Sequence, residues 1–298
     1  MTTTEDAVST SAVAASGLED ASVVATGDAR SPLVRIPTRG ATAGRRRVRI
    51  PRGIERLLGV VGLFVLWEVA SRAGWISPKV LAAPSSVFST GVDLARDGTL
   101  GSALWASLQR VLWGLGLGIP AGAALAVVAG LSRTADDLID ANVQMLRFVP
   151  IIGLESLLIL WLGIGETAKI SLIVLGVAFP VYVNTYSAIR SLDPRWDELA
   201  SVVGLGRRAR LRRIVLPAAV PGFLVGVRMA TAVAWLLLVF AEQLNASSGL
   251  GYLMIRAQTF FQSDVIVVCL VAYSALGLIS DSLVRFLESR LLRWQPGR

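Results

Sequence analysis

Histidine is absent from these 298 residues, cysteine occurs once, and lysine occurs only at Lys79 and Lys169. Without histidine there is no Ser-His-Asp triad, no HExxH metal site and no imidazole proton relay. One thiol, Cys269, makes neither an intrachain disulfide nor a zinc cluster. It lies in an apolar run and reads as a small hydrophobe. Charge is scarce as well: 17% of residues are charged, against about 25% in a soluble domain. Neither lysine is preceded by a G-x-x-x-x-G-K-[ST] loop, so this chain has no P-loop with which to hold ATP.

What the chain has is apolar length: 54% of its residues are hydrophobic, and its mean hydropathy is +0.63. The run LLGVVGLFVLW (57–67) comes first, and VLWGLGLGIPAGAALAVVAGLS (111–132) is free of charge. A third run covers 138–163, interrupted by Arg147 and Glu155. ISLIVLGVAFPVYVNTYSAI (170–189) is uncharged, the next run starts at Ile214 and holds only Arg228, and the last starts near Val265 and passes Asp281. Runs of this length suit membrane-spanning helices. Lipid offers the backbone no hydrogen bonds, so each span must be helical. The expected fold is all-α and polytopic, with six spans near 54–72, 102–132, 138–163, 168–190, 213–241 and 264–287. Residues 1–50 are rich in Ser, Thr and Ala, and residues 1–44 read as a disordered cytoplasmic tail. The cluster RRRVR (45–49) ahead of an apolar run has a signal-peptide pattern. Its late position, with no A-x-A-like site close behind, favours a retained first span.

Arginine placement sets the orientation. With both termini cytoplasmic, the inner segments 30–56, 133, 190–213 and 285–298 hold 21 of the 29 Lys and Arg residues. The outer segments hold five: Arg72, Lys79, Arg96, Lys169 and Arg256. Arg110, Arg147 and Arg228 lie within spans. The net charge of +8 therefore serves topology first, and nucleic acid is not an expected partner.

This topology leaves DELASVVGLGRRARLRRIVLP (197–217) in the cytoplasm. Asp193-Pro194 is a helix start, with Asp capping free N–H groups and Pro at the first position. Trp196, Leu199, Ala200 and Val203 share one apolar face. Gly204 and Gly206 can take positive φ and end the helix. A helix over about 194–206 is too short to be stable alone. Its apolar face needs the span ends, the membrane surface or another protein.

The spacing Glu198-Leu199-Ala200, three residues, Gly204, nine residues, Ile214-Val215-Leu216-Pro217 resembles the E-A-A, x3, G, x9, I-x-L-P loop of type I ABC importer permeases, with Leu199 for the first alanine. The segments AAPSSVF (82–88), SLQRVLWGLGLGIPAG (107–122), ILWLGIGETAKI (159–170), FPVYVNTY (179–186), SSGLGYLMIRAQTF (247–260) and LESRLLRW (287–294) are similar to the sulfonate, taurine and nitrate branch. The resemblance runs from about residue 80 to the C-terminus. It implies a six-helix MetI-like fold and a cytoplasmic coupling helix, with Trp196, Glu198, Leu199, Ala200, Val203, Gly204, Ile214, Leu216 and Pro217 forming the surface that meets the ATPase. It further implies a second copy of the permease, two ABC ATPase subunits carrying ATP and Mg, and an extracytoplasmic binding lipoprotein. The chain itself would carry no cofactor and no metal, and would sit in lipid in the bacterial inner membrane. The implied cargo is a small anion such as an alkanesulfonate, taurine or nitrate.

In RFVPIIGLESLLILWLGIG (147–165) this sequence departs from that branch. Phe148 replaces a proline, and Glu155-Ser156 stand where Ile-Pro is usual. An acid there suits a neutral or cationic cargo, such as a vitamin precursor, better than an anion. Charges inside spans are functional candidates. Arg147, Glu155, Ser156, Asn184, Arg228 and Glu242 are the candidate path residues. The arginines could equally pair with Glu155, Glu242 or Asp281, and Glu155 with Arg147, two helical turns away. Asn184, Thr185 and Tyr186 could instead bind neighbouring helices, and the glycine-rich turns 163–165 and 247–252 read as outer turns, the second a possible gate. A proton-driven transporter using Glu155, Glu242 and Asp281, a membrane enzyme and a scaffold are the rival readings.

Overall fold

The structure is a computed structural model that describes residues 52–292; the tail expected over 1–50 lies outside the described residues. Every element among those residues is helical. Three long helices form the centre: α3 (Thr99–Leu131), α6 (Glu166–Arg190) and α9 (Leu216–Asn245). The middle one packs against both of the others. Small side chains bring them together. The buried face of the first repeats Gly114, Gly118, Gly122, Ala126 and Ala129, while Ile173, Val177 and the Ala178 backbone lie where added Cβ atoms would go at the glycines. On the opposite side, Leu237 fills the space beside Gly176, and Gly222 and Gly226 meet the backbone at Asn184 and Pro180. Small residues that let backbones approach are how helices associate in lipid, where no hydrophobic gain separates helix from tail. Between them lies a core of Val111, Ile173, Val177, Val181, Ala230, Ala234 and Leu238.

The remaining elements attach to this centre. At one end, α2 (Pro84–Arg96), α10 (Leu250–Thr259) and α11 (Ser263–Leu291) pack on one another and on the central helices. Thr90 Oγ1 donates to Asp264 Oδ2 at 2.6 Å, joining the first of these to the last. The first helix, α1 (Arg52–Arg72), is held to that corner by Glu68, which accepts from Ser85 N at 3.1 Å and Ser85 Oγ at 2.8 Å.

Four described helices are long and apolar enough to cross a membrane, covering Thr99–Leu131, Glu166–Arg190, Arg207–Leu244 and Ser263–Leu291. A bent pair, α4 (Arg133–Leu146) and α5 (Ile151–Leu162), provides a fifth if taken as one span. The helix Arg52–Arg72 has the length at 21 residues but carries Arg52, Glu55, Arg56, Glu68 and Arg72, and it is not among them. The run 138–163, expected as one rod, turns by 103° between Leu146 and Ile151. Pro150 accounts for the break: it has no N–H to offer the helix, and its ring disfavours helical backbone at Val149. The first half is also the more polar one, and two of its carboxylates are met by α6. Tyr182 donates to Asp140 Oδ1 at 3.1 Å, Tyr186 donates to Asp136, and Arg190 pairs with Asp136 at 2.9 Å.

The glycine seam carries a prediction. Gly122→Val places carbons against the Ala178 backbone, which cannot give way, and overpacking of this kind costs about 1–3 kcal/mol. Gly116→Ala meets nothing within 4 Å. Thermal unfolding in detergent is expected to show a clear loss for the first variant and none for the second.

Candidate functional site

Between α6 and α9 lies α7 (Arg195–Val202), the helix anticipated within 194–206. Asp193 Oδ1 accepts from the Arg195 N–H at 2.9 Å, capping the start. At the other end the Gly204 N–H donates to Ser201 O at 3.1 Å and the Leu205 N–H to Ala200 O at 2.9 Å, with Gly204 at φ +69. This is the Schellman arrangement, and it needs a residue without a Cβ penalty at Gly204. Gly206, at φ −64, is extended and opens α8 (Arg207–Arg210) rather than closing the previous helix.

The apolar face is divided. Trp196 and Leu199 are half exposed, Val203 is 65% exposed and Val202 84%, whereas Ala200 is buried at 2%. The expectation that placed Ala200 on the outward stripe is therefore corrected: the stripe is Trp196, Leu199, Val202 and Val203, and the smallest residue lies underneath. Glu198 is exposed. The far side of the loop is a π-helical turn, Leu211–Val215, running into the long helix that starts at Leu216-Pro217. Val215 and Ala219 pack with Ile189, flanked by Leu192 and Leu211. Ile214 is half-buried and Leu216 and Pro217 are exposed. Both ends of the loop are thus gripped by one apolar cluster at the ends of α6 and α9, so a force on the short helix reaches both.

The opposite end of the bundle holds a buried ion network that the sequence reading did not assemble. Arg110, 3% exposed, forks onto Glu166, Nε to Oε2 at 2.6 Å and Nη2 to Oε1 at 2.8 Å. Its Nη1 donates to Glu242 Oε1 and, at 2.7 Å, to Ser248 O, and its Nη2 donates to Ser248 Oγ at 2.9 Å. Glu242, 1% exposed, also accepts from Ser107 Oγ at 2.8 Å, the Gly251 N–H at 2.8 Å and Tyr273 OH at 2.9 Å. Lys169 Nζ donates to Glu166 Oε1 at 3.0 Å. Gly249 sits at φ +109 with the Glu242 carboxylate and Arg110 guanidinium where a side chain would go. The turn 247–252 is thereby locked to four helices. The signal available in sequence was the pair Gly249 and Gly251 close after Glu242, with Glu166 directly after the 163–165 turn. Nothing local in Ser107 or Tyr273 marks them.

The candidate path residues do not converge. Glu242 belongs to the network. Arg228 pairs with Asp281 at 3.0 Å on a half-exposed flank, and Arg285 shares that acid at 2.6 Å. Asn184 Nδ2 donates to Pro180 O on its own helix at 2.8 Å. Ser156 is exposed. The proposed Arg147–Glu155 pair is not formed. The helix breaks after Leu146, Arg147 lies over the Phe148 ring at 5.4 Å, and both Glu155 oxygens are buried without a hydrogen-bond partner among the described residues. A single rod would have kept them two turns apart; the 103° bend does not. No group of three metal-ligating side chains occurs among the described residues.

Residues 118–293 match the family described as the binding-protein-dependent transport system inner membrane component. The chain belongs to that family. This is the membrane component of ABC importers, a transport subunit whose ATPase is a separate chain. An Escherichia coli (strain K12) protein named as the aliphatic sulfonates transport permease SsuC is 41% identical over 236 residues, covering 79% of this chain and 90% of that one. A Bacillus subtilis (strain 168) protein of the same name is 36% identical over 252 residues, covering 85% and 90%. Among solved structures, a crystal structure of an amino acid ABC transporter with histidines aligns with TM-score 0.54 at 16% identity, covering 67% of this chain and 97% of that chain. That likeness confirms the permease fold.

For this permease, Arg110→Met leaves the fully buried Glu242 without its cation. Breaking a buried pair in this way costs about 3–5 kcal/mol. Arg228→Met removes a pair whose side chains are 49% and 34% exposed, where the loss is about 0–1 kcal/mol. The melting temperature of the purified chain in detergent is expected to fall far more for the first than for the second.

Proposed function

We propose that this permease forms the translocation path of an ABC importer as a homodimer, with two ATPase subunits carrying ATP and Mg on its cytoplasmic face and an extracytoplasmic binding lipoprotein on the other. Both termini are cytoplasmic in this reading, which the arginine distribution supports. The cargo is a small sulfonate of the alkanesulfonate or taurine type, supported by the names of the relatives. The observation that carries the coupling role is the outward stripe of Trp196, Leu199, Val202 and Val203, placed between two spanning helices and stopped by Gly204 at φ +69. An exposed apolar stripe on so short a helix calls for a groove, and the arginines at 207–213 rim it with charge. ATP binding elsewhere can shift the permease between two arrangements only by differential affinity for them, and this helix is where that difference enters.

The proton-driven alternative has little support. Glu242 is neutralised by Arg110, and Asp281 by Arg228 and Arg285. One acid, Glu155, is left to carry the relay.

The test is coupling in proteoliposomes with the binding protein and ATPase present. Glu198→Arg, and separately Gly204→Pro, are expected to leave the chain in the membrane while ATP hydrolysis no longer drives sulfonate uptake. Normal coupling in both variants would overturn the docking role.

A further inference from the structure

We propose that Lys169 alternates between two carboxylates, Glu166 and Glu155, and that this exchange sets the position of α5 against α6 during the cycle. The proposal rests on reading the chain as a permease with two arrangements, and it assigns the residues that distinguish them at the network end.

The observation behind it is Glu155. It is 1% exposed, and neither carboxylate oxygen has a hydrogen-bond partner among the described residues. Buried polar groups are almost always satisfied, and an exception needs a reason. Glu155 and Leu158 are the buried residues of α5, one helical turn apart, and Leu158 packs with Ala168, Leu172 and Ala241 where α5, α6 and α9 meet. Lys169 directly follows Ala168 of that layer on α6, the helix packed against α5, and is itself buried at 3% exposure.

Counting donors points to Lys169 as the group that moves. The ion network and Glu155 together comprise three carboxylates, Glu155, Glu166 and Glu242, and two cations, Arg110 and Lys169. Arg110 commits its whole fork to Glu166, Glu242 and Ser248. An ammonium has three donors, and Lys169, with its side chain only 4% exposed, makes its one ion pair with Glu166. Glu166 thus holds two cations, Arg110 and Lys169, while the buried Glu155 holds none. Glu166 tolerates losing Lys169 better than Glu155 tolerates lacking it: the Glu166 side chain is 53% exposed to water and keeps the bidentate Arg110.

The mobile piece is also identifiable. The helix that carries Glu155 is only 12 residues long. It follows the 103° break at Pro150 and ends at Gly163, which has φ +79. With a turn at each end it can tilt without unwinding its neighbours. A tilt that brings Glu155 onto Lys169 satisfies the stranded oxygens and loosens the 163–165 turn from the network. The two states thus differ by one ion pair each, a small difference that nucleotide binding at the far end can bias.

The experiment combines uptake of an alkanesulfonate by the assembled transporter in proteoliposomes with hydrogen exchange of the backbone amides of 160–168 in the same complex. Glu155→Gln leaves Lys169 a single partner. Uptake is expected to fall by about tenfold or more, the size of effect a trapped two-state equilibrium produces, and exchange in 160–168 to slow. Glu166→Gln is expected to do the opposite to exchange, and the Glu155→Gln effect is expected to vanish on a Lys169→Met background. The exchange arm needs neither cargo nor nucleotide, so a parent complex that ignores sulfonate tells against the function proposed above and leaves this measurement decisive. Glu155→Gln leaving exchange unchanged, or slowing it equally on the Lys169→Met background, overturns the exchange. Normal uptake alongside slowed exchange overturns its role in the cycle.

Discussion

The bundle depends on one buried guanidinium. Arg110 lies between the buried Glu242 and the half-exposed Glu166, and it ties α6, α9 and a glycine turn to α3. The cost of burying a charge is offset only when every donor finds an acceptor, and here the fork, the Ser248 carbonyl and the Ser248 hydroxyl complete the set. That requirement explains the glycines of the 247–252 turn, because any side chain at Gly249 would occupy the place of the ion pair. It also fixes which parts of the molecule are rigid at that end and which are left to move.

The centre transmits and the ends act. Helices α3, α6 and α9 are joined through small residues that fit against branched side chains at Gly114, Gly118 and Gly176 and against backbone at Gly122, Gly222 and Gly226, a contact that shears poorly and so moves as a unit. At one end both limbs of the loop that carries α7 are gripped by Ile189, Val215 and Ala219. At the other, α6 begins with Glu166 and Lys169 in the ion network. One helix therefore connects the surface that would meet a motor to the charges that close the far end. The bent pair beside it is the adjustable part, tied to α6 by Tyr182 and Tyr186 on one limb and by apolar packing on the other.

Much of this was legible in the residues. Uncharged runs gave the spans at 111–132 and 170–189 because hydrocarbon length and backbone satisfaction leave few alternatives. The loop helix was legible from Asp193, Pro194 and Gly204, whose roles are local. The break inside 138–163 was missed, although Pro150 lies within it, because an apolar run hides a turn when hydropathy alone is followed. Ala200 was assigned to the outward stripe because periodicity cannot tell which edge of a narrow face is covered. The ion network was not legible: Ser107, Arg110, Glu166, Glu242 and Tyr273 are far apart in sequence, and only the fold brings them together. Arg110 and Arg228 could line the path or pair with acids on the sequence alone, and in the fold each is paired, with Glu242 and Asp281. Arg147, whose acid was to lie on the same rod, does not, because the rod does not exist.

The central claim is that the stripe on α7 is held by a separate nucleotide-hydrolysing subunit. Val202, the most exposed residue of that stripe at 84%, is the position to interrogate. A photoreactive amino acid there, illuminated in native membranes before extraction, is expected to join this chain to an ATPase subunit. A product containing only lipid or a second copy of the permease, obtained while uptake remains active, would contradict the account.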